Sequence, residues 1–180
     1  MSAIVPRFLI RQQPWYDPFV SDIRWLDPTE DRAWRGLRRI DSVVVAAIVS
    51  DLLAESGLSD ADYEVLSNLT DAPDHRLRAG DLARKIRWST SRLAHQVTRM
   101  EQRGLLRRLA RDDDARGSDL QLTPRGRKAI VDAAPQHVAS VRRHLYDHLS
   151  EQQVRQLAAI TTTLLAAHDL TLDEREPPWV

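Results

Sequence analysis

The stretch from Trp88 to Gly104, WSTSRLAHQVTRMEQRG, constrains this chain most, because a helix built from it carries two faces suited to opposite surroundings. Leu93, Val97 and Met100 recur at helical spacing and form an apolar stripe. Arg92, His95, Gln96 and Arg99 repeat that spacing on the other side, giving a row of long hydrogen-bonding and cationic side chains suited to the edges of base pairs. Ser89 is placed to cap the helix, with Trp88 ahead of it as a hydrophobic staple onto Leu93. Gly104 supplies the left-handed residue that stops it.

The flanks give this helix its context. Leu82, Ala83 and Ile86 form a short helical stripe, and only Arg87, Trp88 and Ser89 separate it from the next helix, the length of a helix-turn-helix. Downstream, Leu105 to Leu109, a polar stretch from Ala110 to Asp119, and the alternation Leu120-Gln121-Leu122 predict two short strands around a loop. The expected fold class is therefore mainly α with a small β-wing, a winged helix-turn-helix.

Arg107-Arg108, then Asp114-Ala115-Arg116, then Leu122-Thr123-Pro124-Arg125-Gly126 resemble the wing of the MarR family of bacterial transcriptional regulators, with its D-x-R followed by L-T-x-x-G. The resemblance runs over roughly residues 30–169. The segment from Leu58 to Leu66, LSDADYEVL, is similar to the second helix of actinobacterial members. At Ala79-Gly80 the chain departs from the family, which often has a better capping residue there. The resemblance implies that Arg116 enters the minor groove and that Asp114 holds it. It also implies a transcriptional regulator, most often a repressor, whose flanking helices interlock across a two-fold axis into a homodimer, and a cleft that accepts small aromatic effectors. Tyr63, with Trp34 on the first helix, is the candidate lining for that cleft, although packing in the core is the simpler use of an aromatic residue at helical spacing.

A net charge of +0 argues at first against a nucleic-acid partner, but the charge is segregated. Residues 75–128 hold fifteen of the chain's 26 Lys and Arg and only six of its 26 Asp and Glu, so the basic excess coincides with the helix-turn-helix and wing. A basic run is usually no more than a solvated face; its coincidence with the motif gives it a partner. Base reading is assigned to Thr90, Ser91, Arg92, His95 and Gln96. Phosphate contacts are assigned to Arg99 and Arg103, further along the helix, and to Arg84, Lys85 and Arg87 before it.

Other chemistry finds little support. The 180 residues, with 42% hydrophobic content, suit one domain. Zero cysteines rules out disulfides, thiolate metal sites and a thiol-oxidation switch. There is no Gly-rich phosphate loop or nucleophile elbow, so an enzyme is not expected, nor is a cofactor. His144 and His148 are spaced one helical turn apart, which invites a metal-responsive alternative, but no carboxylate is marked as a third ligand and no metal site is assigned. A further alternative is an interaction protein that keeps the winged fold without binding an operator. No apolar run spans a bilayer and the N-terminus lacks a signal-peptide pattern, so the cytoplasm and no membrane partner are expected.

The chain divides as follows. Residues 1–28, with Pro6, Pro14, Pro18 and Pro28 interleaved with Trp15, Tyr16, Phe19 and Trp25, form an arm. Residues 29–57 are one long dimerisation helix ended by Gly57. Residues 58–123 hold the DNA-binding lobe, residues 124–168 the C-terminal dimerisation helices, and residues 169–180 a tail. Thr123 and Ser150 are the caps of the last helices, and Pro135 is expected to kink or break the first of them.

Overall fold

A computed structural model of the chain describes residues 24–110 and 118–170, which fall into two compact units divided between Val45 and Ala46. In the N-terminal unit, helix α1 (Pro28–Ile40) starts at Asp27, whose side chain accepts from the backbone N–H of Thr29 and Glu30 while Glu30 reaches back to the cap. A π-helical turn, Asp41–Val45, follows. The sequence predicts an uninterrupted helix here. Val43, Val44 and Val45 are β-branched and crowd the preceding turn, and the Ser42 hydroxyl donates to the carbonyl of Arg39 at 3.3 Å, so both features weaken the regular ladder.

The second unit begins with α2 (Ala46–Ser56), which Gly57 ends with φ at 68°. Helix α3 (Asp60–Thr70) opens on a full capping box between Ser59 and Asp62. Then come strand β1 (Arg76–Arg78), α4 (Ala79–Lys85), α5 (Thr90–Gln102), and strands β2 (Leu106–Ala110) and β3 (Ser118–Leu122). Two more helices close the unit, α6 (Pro124–His144) and α7 (Glu151–Ala166), capped by Thr123 and Ser150 as the sequence predicts.

The strands form one antiparallel sheet in the order β1-β3-β2, with Leu77 opposite Leu120 and Leu106 opposite Leu122. Leu106, Leu120 and Leu122 turn one face of this sheet into the core. There they join Val65, Leu66 and Leu69 of α3, Leu82 and Ala83 of α4, Leu93, Val97 and Met100 of α5, and Ile130 and Ala133 of α6. Burying the three α5 side chains contributes roughly 1.5–3 kcal/mol each, which holds the stripe of α5 inward and its opposite face out.

Helix α6 does not break at Pro135. The carbonyl that a proline there leaves without its helical donor is that of Val131, an exposed residue, so solvent can satisfy it and the helix continues. No single described helix is long and apolar enough to cross a membrane.

Candidate nucleic-acid interface

The turn between α4 and α5 is tight because Arg87 takes up left-handed φ of 54° and the Trp88 N–H reaches the carbonyl of Ala83 at 2.9 Å. Ser89 caps α5, accepting from the Arg92 N–H at 3.2 Å, and Gly104 closes it with φ at 70°. Thr90, Ser91, Arg92, His95 and Arg99 are all exposed on α5, and Arg84, Lys85 and Arg87 are exposed just before it. The Arg92 guanidinium carbon lies 4.0 Å from the centre of the Trp88 ring, so a cation–π contact braces the first of the long cationic side chains. The first turn of α5 thus offers hydroxyls, a steadied guanidinium and the positive end of the helix dipole at one exposed end.

Gln96 corrects the sequence reading. It is 3% exposed, its Nε2 donates to Asp62 Oδ1 at 2.7 Å, and its Oε1 accepts from Arg99. Gln96 sits three residues after Leu93 and four before Met100, inside the apolar stripe, and that spacing was the signal for burial. Arg103 is likewise engaged within the protein, donating from Nη1 to Asp62 Oδ2 at 2.6 Å and from Nη2 to the carbonyl of Gly57 at 2.9 Å. Burial of Asp62 pushes its carboxyl up, but the Arg103 hydrogen bond, the Ser59 hydrogen bonds and the Arg103 charge outweigh it and hold the pKa below the ordinary value. The group is therefore a buried carboxylate with matching donors.

Arg108 is a brace that sequence reasoning left without a role. From β2 it donates to the carbonyl of Ala94 and the hydroxyl of Thr98, both at 3.1 Å, and pairs with Glu101 at 3.4 Å, tying the sheet to α5. Arg76 clasps the buried Asp119 through Nε at 2.7 Å and Nη2 at 2.6 Å, which fixes β1 to the root of the wing. On the outer face Arg107 donates twice to Gln121, its cross-strand neighbour. Asp114 and Arg116, the wing pair, lie outside the described residues.

Tyr63 is half-buried against the core, with its ring centre 4.4 Å from that of His137 on α6. Burial raises the Tyr63 pKa and lowers that of His137. His137 also lines a cavity of about 380 Å³ between α2 and α6, with Leu52, Glu55, Lys128 and Asp132 among its walls. Trp34, in the N-terminal unit, is exposed, with Arg38 at 6.0 Å over its ring. His144 and His148 do not share a helix: α6 ends at His144, and His148 closes a separate 3-10 turn, Tyr146–His148. His144 Nε2 lies 2.8 Å from Asp51 Oδ2, which also accepts from Ser140 at 2.7 Å and Arg143 at 2.6 Å. These bonds hold the Asp51 pKa at about 2. Among the described residues no group of three His, Asp or Glu side chains is arranged to hold a metal ion.

The sequence profile described as the MarR family matches residues 58–118. AbsC, a MarR family transcriptional regulator from Streptomyces coelicolor, is 39% identical to the chain. The match covers 81% of this chain and 97% of that one, with a TM-score of 0.74. A second MarR family transcriptional regulator from Streptomyces coelicolor, solved in complex with DNA, is 30% identical over 86% of this chain and 96% of its own, with a TM-score of 0.75. The HTH-type transcriptional repressor YetL of Bacillus subtilis is 23% identical over 106 residues, which make up 59% of this chain and 64% of the repressor.

Proposed function

The chain belongs to the MarR family of transcriptional regulators, and we propose on that basis that it binds a pseudo-palindromic operator as a homodimer and represses transcription until a small aromatic ligand releases it. The observation that carries the reading is the exposed face of α5. Thr90, Ser91, Arg92 and His95 stand at its N-terminal end, opposite a fully buried stripe, with Arg84, Lys85, Arg87 and Arg99 around them. In this reading the four N-terminal residues meet base edges in the major groove, the surrounding cations meet phosphates, and Arg116 of the wing, oriented by Asp114, enters the minor groove.

Dimerisation is supported by apolar side chains left at the surface. In the N-terminal unit Trp34, Leu37, Ile40 and Val43 are exposed; in the second unit Leu53, Ile160 and Leu164 are exposed. A two-fold dimer sets its reading helices one turn of DNA apart, about 34 Å, so a ligand near Tyr63 that alters this separation weakens binding. The protein acts in the cytoplasm, where its operator is.

The test is to incubate purified protein with fragmented genomic DNA, sequence what is retained, and measure gel shifts on the recovered fragment with and without simple phenols and benzoates. Enrichment of one inverted repeat, with retention weakened by such a compound, is the expected result. Uniform recovery of all sequences rejects operator reading and leaves a winged-helix interaction protein.

A further inference from the structure

Asp62 is 2% exposed, and its carboxylate accepts four hydrogen bonds, two of them from its capping partner Ser59, through the backbone N–H at 2.9 Å and the hydroxyl at 2.8 Å. The other two come from α5 and its C-cap: Gln96 Nε2 to Oδ1 at 2.7 Å and Arg103 Nη1 to Oδ2 at 2.6 Å. Gln96 and Arg103 are seven residues, two turns, apart on one side of that helix. The buried stripe and the Arg108 brace press α5 against the core, and the two Asp62 bonds, two turns apart, fix its roll and tilt against α3. Only an ionised carboxylate offers acceptor sites for all four donors.

We propose that Asp62 is the positioning residue of DNA recognition, setting the roll of α5 so that Gln96 and Arg103 contribute to operator specificity without touching DNA. The inference rests on the operator-binding reading above. Side-chain tips on a helix lie about 6 Å from its axis, so a roll of about 10° moves them by about 1 Å, enough to take a base-edge hydrogen bond out of range. Phosphate contacts from long, mobile cations tolerate such a shift. The signature of a released helix is therefore lost discrimination with retained general affinity.

The experiment compares wild type, Asp62→Asn and Ser59→Ala. Affinities are measured at one salt concentration for a duplex recovered from genomic DNA by the wild type and for a scrambled duplex of the same composition. Amide exchange along residues 90–102 is followed in the free proteins. Asp62→Asn keeps the size of the side chain but turns an acceptor into a donor facing Arg103. It should reduce the ratio of operator to scrambled affinity by about tenfold, with faster exchange in α5. Ser59→Ala removes the capping hydroxyl but leaves both α5 bonds, so it should lower thermal stability with the ratio unchanged. An unchanged ratio and unchanged exchange in Asp62→Asn overturn the proposal, as does an equal fall of the ratio in Ser59→Ala. If Asp62→Asn does not fold, Gln96→Leu removes one grip with an apolar side chain and must show the same selective loss. Should the wild type prefer no duplex, the operator reading fails, while the exchange data still decide whether Asp62 holds the helix.

Discussion

Replacing Gly126 with alanine should loosen the joint between the wing and α6. A Cβ at this position would stand 1.9 Å from the carbonyl oxygen of Leu105, 2.8 Å from its carbon and 3.0 Å from Leu122 Cδ1. Ordinary contact begins at 3.4 Å, so the first turn of α6 must retreat by roughly 1.5 Å. Two donors span that gap: the Thr123 N–H to Leu105 O at 3.2 Å, and the Thr123 hydroxyl, shared between Gly104 O at 2.7 Å and Leu105 O at 3.0 Å. Their loss costs about 0.5–1.5 kcal/mol each, overpacking adds about 1–3 kcal/mol, and the better helix propensity of alanine returns about 1 kcal/mol. The net expectation is destabilisation of about 1–5 kcal/mol, or roughly 2–20 °C in Tm for a chain of this length. Urea unfolding at one fixed protein concentration measures it, with Gly80→Ala as control. Nothing lies within 4 Å of a Cβ at Gly80, so that change should stabilise by up to about 1 kcal/mol. A Gly126→Ala protein within about 0.5 kcal/mol of wild type would refute the reasoning.

Three further outcomes are expected. The Asp51 carboxylate, at about 2 against an ordinary 3.8, contributes stability that is fully present above about pH 4 and fades as pH falls through the folded value. Acid titration of Asp51→Asn should therefore show a flatter loss of stability between pH 4 and 2 than wild type. Arg116→Ala should fold and dimerise normally but lose operator affinity mainly for A·T-rich flanks, with Asp114→Ala showing a smaller loss; equal weakening of A·T-rich and G·C-rich operators rejects the minor-groove assignment. Truncation after Ser150 removes α7 with its exposed Ile160 and Leu164, and sedimentation at micromolar concentration should then find no dimer.

Local signals in the sequence carried most of α5. Ser89, Leu93, Val97, Met100 and Gly104 mark its start, buried stripe and end within seventeen residues, and each rule involved acts over a turn or two. Thr123 and Ser150 were legible for the same reason. What escaped depends on partners far along the chain. Strand β1 is three residues long and exists because β3, more than forty residues later, presents an edge to it. Gln96 reads as a base-reading side chain until Asp62, 34 positions earlier, is known to face it. Arg103 and Arg108 look like free cations in a basic segment, yet Asp62 and Glu101 hold them. A charge count reports how many cations a segment has, not how many are committed to its own fold.

The turn residue Arg87 has a consequence for how such a protein evolves. A non-glycine residue with φ of 54° is strained by about 1 kcal/mol or more, and glycine would remove that strain. Instead the position holds an exposed cation beside α5, whose Nη2 lies 3.4 Å from the carbonyl oxygen of His168. If Arg87 meets DNA phosphate as proposed, selection for heat tolerance alone should drift towards Arg87→Gly, while selection for operator binding should keep the arginine. A library passed through either screen should then diverge at this position, and the divergence would separate the strain of the turn from the use of its cation.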